Sequence, residues 1–162
     1  MEKTDKSIHN ICIASIKRNT IKPYDFKWTK FYENNADFPY SGLEIELADN
    51  ELYICSTFID NDNFSILTSR RLVTKQNGQL CSENILGATN KLCGNFKGGE
   101  DENNYIFGQI QLPSGNVLKY FIETGNASMV MIYGVRTLIR TNTMTPNQVD
   151  TIARAWNNRL NK

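Results

Sequence analysis

The chain has 162 residues, 40% of them apolar and 22% charged, which is the length and balance of one folded domain. A chain this long can bury a core without a disulfide or metal staple, and its composition excludes a disordered protein. Eighteen basic side chains against seventeen acidic ones leave a net charge of +1, which excludes a nucleic-acid binder working through overall charge.

No secretory signal is legible. MEKTDKSIHN carries both charge signs, and the following ICIASI is too short and too polar for a signal core. No run reaches the eighteen apolar residues of a membrane span, so the cytoplasm is the expected compartment. Cys12, Cys55, Cys81 and Cys93 have no C-x-x-C or short Cys/His spacing, so they read as free thiols and not as metal ligands. No cofactor is called for.

The first forty residues fit two patterns. Ile8, Ile11, Cys12 and Ile16 suit a helix face, while Ile11 and Ile13 alternate as in a strand. Trp28, Phe31 and Tyr32 suit one side of a short helix lying on a sheet. Leu43, Ile45 and Leu47 alternate with Glu44, Glu46 and Ala48, which predicts a half-buried strand. Asp49-Asn50 is a turn signal, and residues 52–58 form the return strand. Asp60-Asn61-Asp62-Asn63 breaks that run. Residues 64–67 and 71–75 read as one strand or as two strands with a kink, and Asn77-Gly78 closes a hairpin because both positions accept positive φ. A short strand is expected over 92–97 and a solvated loop over 98–104. The segments 105–112 and 116–123, joined by Pro113-Ser114-Gly115, are the clearest hairpin.

Two helices complete the chain. The segment 126–140 is apolar on nearly every side, so it is buried on two sides, and Gly134 in its middle costs about 1 kcal/mol against Ala, tolerable where close packing needs the space. In the last helix, Thr145 is the N-cap, Pro146 takes the first helical position, and Gln148 completes a capping box. Val149, Ile152, Ala153, Trp156 and Leu160 form one stripe, expected to cover the outer face of the preceding helix through Ile152 and Trp156. A stripe does not reveal whose core it fills, so a homodimer through the first and last helices is an alternative.

Charge is blocked along the chain. Residues 41–67 hold six acids and no base, while 68–100 carry +3 and 126–162 carry +4.

Consecutive strands followed by one strongly apolar helix, with Phe64-Ser65-Ile66-Leu67-Thr68-Ser69-Arg70-Arg71-Leu72 and the later Gly125-Asn126-Ala127-Ser128-Met129, resemble bacterial pleckstrin-homology-like (PH-like) modules. The resemblance covers residues 41–141. It implies an α+β fold, an antiparallel barrel or sandwich closed by the 126–140 helix. Residues 1–40 would be an N-terminal extension packing on the sheet, and 142–162 an added amphipathic helix, all within one structural unit. The family's binding of phosphoinositide head groups does not carry over, because the first loops hold Asp49, Glu51, Asp60 and Asp62, which repel phosphate.

Catalytic constellations are thin. His9, the only histidine, reads as a surface residue near the terminus, and a pairing with Cys12 has no support. Asp60 to Asn63 has the alternating oxygens of a calcium loop but lacks its glycine and distant glutamate, so it reads as a hairpin tip. Glu44, Glu46 and Glu123 are the carboxylates a hydrolase would use, and the first two read as solvent-facing. No catalytic or metal-ligating residue is assigned. The expected function is a non-catalytic protein-binding module, of the immunity type that occludes a toxin, meeting a basic partner surface. Its expected contact residues are Asp49, Glu51, Asp60, Asp62, Arg70 and Arg71. The alternatives are an anionic-lipid or small-ligand module using Arg70 and Arg71, and a small carboxylate-dependent hydrolase.

Overall fold

The computed structural model describes residues 3–90 and 104–160. The predicted strand over 92–97 and all but the last residue of the predicted 98–104 loop lie outside the described residues.

The N-terminal segment resolves as helix. Helix α1 (Asp5–Asn19) starts at Thr4, whose Oγ1 accepts the Ser7 N–H at 3.1 Å, and Lys17 and Arg18 close its last turn. Its apolar face is Ile8, Ile11, Cys12 and Ile16, all buried. Trp28, Phe31 and Tyr32 lie on or beside a strand and not on a helix: β1 (Thr29–Phe31) pairs with β2 (Tyr53–Asp60), Thr29 opposite Thr57. This pairing has a consequence for the next segment. With β1 on one edge of β2 and β3 (Asn63–Thr68) on the other, no edge of β2 is left for residues 43–47. The predicted strand there is irregular backbone crossing the outer face of the sheet. The alternation nonetheless holds, with Leu43 and Ile45 half-buried against Phe64, Ile66 and Val73, and Glu44 and Glu46 in solvent.

Strands β2, β3, β4 (Leu72–Gln76) and β5 (Gln79–Glu83) form a meander, giving a five-stranded antiparallel sheet in the order β1-β2-β3-β4-β5. The Asn77-Gly78 turn has φ of 50° and 82°, the double left-handed geometry that matches strand twist. A second antiparallel sheet comprises β6 (Thr89–Asn90), β7 (Tyr105–Gln111) and β8 (Val117–Glu123). Among the described residues the two sheets stay separate and do not close into a barrel. They are tied where the Phe121 N–H donates to Ser65 Oγ at 2.8 Å.

Helix α2 (Ser128–Thr141) lies on the inner face of the five-stranded sheet. A Cβ at Gly134 would sit 2.8 Å from Cys55 Sγ and 3.1 Å from Leu67, so the glycine permits that approach. The other side of α2 is covered by α1. Helix α3 (Pro146–Leu160) packs on α1 and not, as the sequence suggested, on the outer face of α2. Its capping box forms as expected, with Thr145 N–H to Gln148 Oε1 at 2.9 Å and Gln148 N–H to Thr145 Oγ1 at 3.2 Å. Trp156 contributes to the α1 contact by receiving the Arg18 guanidinium over its ring at 5.1 Å. The stripes of α1 and α3 therefore meet within one chain, in the cluster that also holds Val130, Val135 and Leu138 of α2. The fold is α+β, with two antiparallel sheets and helices at both ends of the chain.

Candidate functional site

The densest polar arrangement is the corner where the β3–β4 turn meets the loop before β2. Glu51 ends that loop and is 3% exposed. Its carboxylate accepts from Arg71 Nε at 2.9 Å, Thr68 Oγ1 at 2.5 Å and the Ala48 N–H at 2.9 Å. Burial works to raise the Glu51 pKa, and the hydrogen bonds from Arg71, Thr68 and Ala48 outweigh it, leaving the carboxyl below its ordinary range. Arg71 also donates from Nη2 to the Glu46 carbonyl at 2.6 Å.

Arg70 points the other way and grips α1. Its Nε and Nη2 meet the two oxygens of Asp5 at 2.9 and 2.8 Å, a fork-to-fork pair, and Nη2 also reaches the Asp49 carbonyl at 2.8 Å. The Arg70 hydrogen bond is the largest influence on Asp5 and holds its carboxyl below the usual range against the opposing effect of burial. Ser69 Oγ completes the corner, donating to Asp5 at 2.7 Å and accepting the Leu52 N–H at 3.0 Å. One groove, of about 870 Å³, lies beside Arg70 between Lys3, Lys6 and Leu86. Another, of about 680 Å³, runs past Glu46, Asp49 and Ser82.

The structure thus brings Asp49, Glu51, Arg70 and Arg71 together and leaves Asp60 and Asp62 at the far end of β2, about 25 Å away along an eight-residue strand. Three of the sequence-selected residues change character. Glu51 is a buried, fully engaged carboxylate and not an exposed loop acid, because Arg71 neutralises it from across the β3–β4 turn. Arg70, nearly half exposed, and Arg71 spend their donors on carboxylates and carbonyls of the same chain. Asp5 and Ser69 belong to the corner and were not selected from the sequence. The available signal was Thr4 as a helix cap, which places Asp5 in the first turn, where an acid is favoured.

The remaining members of the acidic block face solvent. Glu44, Glu46, Asp49, Asp60 and Asp62 are all exposed, and among the described residues none of them has an ion-pair partner. At the hairpin tip, Asp60 Oδ1 accepts the Asp62 N–H at 2.8 Å and Asn63 Nδ2 at 3.1 Å, fixing the turn. Among the described residues no group of three or more His, Cys, Asp or Glu side chains converges to hold a metal, at this tip or elsewhere.

His9 is also relocated. It is 6% exposed, and its Nε2–H donates to the Tyr32 carbonyl at 2.7 Å, tying α1 to the end of β1. The apolar stripe of α1 is wide enough to take His9 in with Ile8 and Ile11. Burial, the largest influence, pulls its pKa down. Glu123, at the end of β8, accepts the Trp28 N–H at 2.6 Å, the Lys27 N–H at 3.2 Å and Thr29 Oγ1 at 3.1 Å, so it anchors the start of β1. Cys12 and Cys55 are buried free thiols whose pKa values burial raises well above the ordinary range, and Cys81 is an exposed free thiol. Cys93 lies outside the described residues. No described helix is long and apolar enough to cross a membrane. No protein-family model matches the chain, and no curated protein or solved structure matches it.

Proposed function

We propose that this protein is a non-catalytic binding module that takes a protein partner through its exposed carboxylates, in the manner of an immunity-type protein covering a basic toxin surface. The observation that carries the reading is the split within the acidic block. Glu51 is consumed by the frame, whereas Glu44, Glu46, Asp49, Asp60 and Asp62 stand in solvent, none of them in an ion pair among the described residues. Fixed, unpaired charges on a framework steer a complementary partner and set the orientation of its docking. Within this reading Glu51, Arg70 and Arg71 are positioning residues that hold the 46–51 loop in place.

The likeness to PH-like modules belongs to the same proposal. Consecutive antiparallel strands followed by an apolar helix support it, while the separation of the two sheets supports a sandwich over a barrel. The cytoplasm is the compartment assumed, and the free thiols of Cys12, Cys55 and Cys81 suit it. A lipid-binding role would have to rest on Arg70 and Arg71, whose hydrogen bonds run to Asp5, Glu51 and the carbonyls of Glu46 and Asp49.

The test is charge reversal at the two ends taken separately, E44K/E46K/D49K and D60K/D62K. The proposal requires that at least one set weakens partner binding about tenfold or more, with a shallower salt dependence. Unchanged affinity in both sets rejects it.

A further inference from the structure

Among the described residues, one edge of the five-stranded sheet is guarded and the other is not. The β1 edge is three residues long and carries Lys30, the kind of short, charged edge that discourages pairing. The β5 edge is five residues long, has no proline or lysine, runs in unbroken register with β4, and is exposed at every residue.

Which backbone groups face outward follows from the turn. A two-residue turn is flanked by a hydrogen-bonded pair, here Gln76 and Gln79, and such pairs alternate along the ladder. Gln79, Cys81 and Glu83 therefore spend their backbone groups on β4, and Leu80 and Ser82 present N–H and C=O to solvent. Beside this edge, a groove of about 640 Å³ is lined by Leu80, Cys81, Val117 and Lys119. Leu80 is 37% exposed and Val117 46%, two of the three exposed large apolar side chains among the described residues.

We propose that β5 is an interface to a second copy of this chain, the two β5 strands pairing antiparallel about a two-fold axis at Cys81. The strand is complementary to itself in that register. Leu80 of each copy falls opposite Ser82 of the other, so the outward groups of both residues pair, giving four backbone hydrogen bonds. Glu83 falls opposite Gln79, so no like charges oppose each other, a condition that other registers bringing the two Glu83 side chains together would break. The joint is isologous and closes at two copies, and it extends the sheet from five strands to ten. The groove lined by Leu80, Cys81, Val117 and Lys119 lies alongside the joint in each copy.

The register makes a sharp chemical forecast. Cys81 faces Cys81 in a non-hydrogen-bonded pair, where Cα atoms lie about 4.5 Å apart, inside the range a disulfide accepts. The experiment is sedimentation velocity of the full chain under reducing conditions, beside mild treatment with diamide, which takes up the two protons and two electrons released as two Cys81 thiols join. The variants are Leu80→Lys, which puts a guarding charge on the edge, and Ser82→Pro, which removes an outward N–H that the fold itself does not use. The expected results are a concentration-dependent dimer, at least about tenfold weaker in L80K, and a covalent dimer in wild type and C93S that is absent in C81S. A chain that stays monomeric throughout overturns the proposal. So does a dimer that survives both L80K and S82P and fails to cross-link through Cys81, which would place the contact on the helices.

Discussion

Glu51 and Arg71 form an ion pair, Nε to Oε2 at 2.9 Å, across a corner where the carboxylate is almost wholly buried and the guanidinium about a quarter exposed. The pair is stabilising because each carboxylate oxygen accepts from Arg71 and from one further donor, Thr68 Oγ1 on Oε2 and the Ala48 N–H on Oε1. Replacing Glu51 by Ala leaves Arg71 Nε and the Ala48 N–H without their acceptor and the guanidinium charge without its counter-ion. We expect a loss of about 2–4 kcal/mol in denaturant unfolding. Asp49→Ala, at an exposed carboxylate one turn away, should stay within about 0.5 kcal/mol. Equal effects of the two would contradict the division into frame and surface.

Acid acts on this protein in two windows. The pKa of His9 is lowered in the folded state, so protonation favours the unfolded chain, and the contribution of neutral His9 is complete above its unfolded value of about 6.5 and is lost as pH falls below that toward the folded value. The pKa values of Glu51 and Asp5 are also lowered, and the stability they contribute is present above the unfolded carboxylate value and lost as pH falls through the folded ones. Unfolding free energy measured between pH 8 and 5, a range set by the ordinary His pKa of about 6.5, should fall toward acid, and His9→Gln, which keeps an N–H donor for Tyr32, should flatten that slope. The carboxylate loss below about pH 4.5 should persist in the variant. An unchanged slope in His9→Gln contradicts the buried placement of the ring.

Two glycines mark close contacts. A Cβ at Gly108 would lie 2.4 Å from the ring of Tyr120, its cross-strand partner, and one at Gly134 would meet Cys55 Sγ at 2.8 Å. In an open helix Gly→Ala gains about 1 kcal/mol. Here overpacking dominates, and both G108A and G134A should destabilise by about 1–3 kcal/mol, read as a lowered thermal midpoint. A stabilised G134A would show that α2 sits farther from β2 and β3 than described.

Local signals in the sequence were reliable where the physics is local. The Asn77-Gly78 turn, the Thr145–Gln148 capping box and the 105–123 hairpin each depend on a few adjacent residues, and each forms where their chemistry places it. The errors came from partners distant in sequence. Alternation at Leu43, Ile45 and Leu47 specifies which side chains are buried but not whether a ladder edge is free, and β1 had taken it. A three-residue strand such as β1 leaves almost no periodic signal. The stripe on α3 specifies an apolar neighbour without saying which, and α1 is that neighbour. The corner was half legible for the same reason. Arg70-Arg71 and the acidic block were evident as charges, but the matching of Arg71 to Glu51 and of Arg70 to Asp5 spans 20 and 65 residues.

The central claim, that the exposed carboxylates bind a basic protein partner, is tested most directly by affinity capture of the tagged protein from its native cells at low and high salt, beside a variant carrying E44K, E46K, D49K, D60K and D62K. The account predicts one stoichiometric partner with a basic surface, released at high salt and absent with the variant. A protein that returns alone, or a partner held equally by the variant, would contradict it.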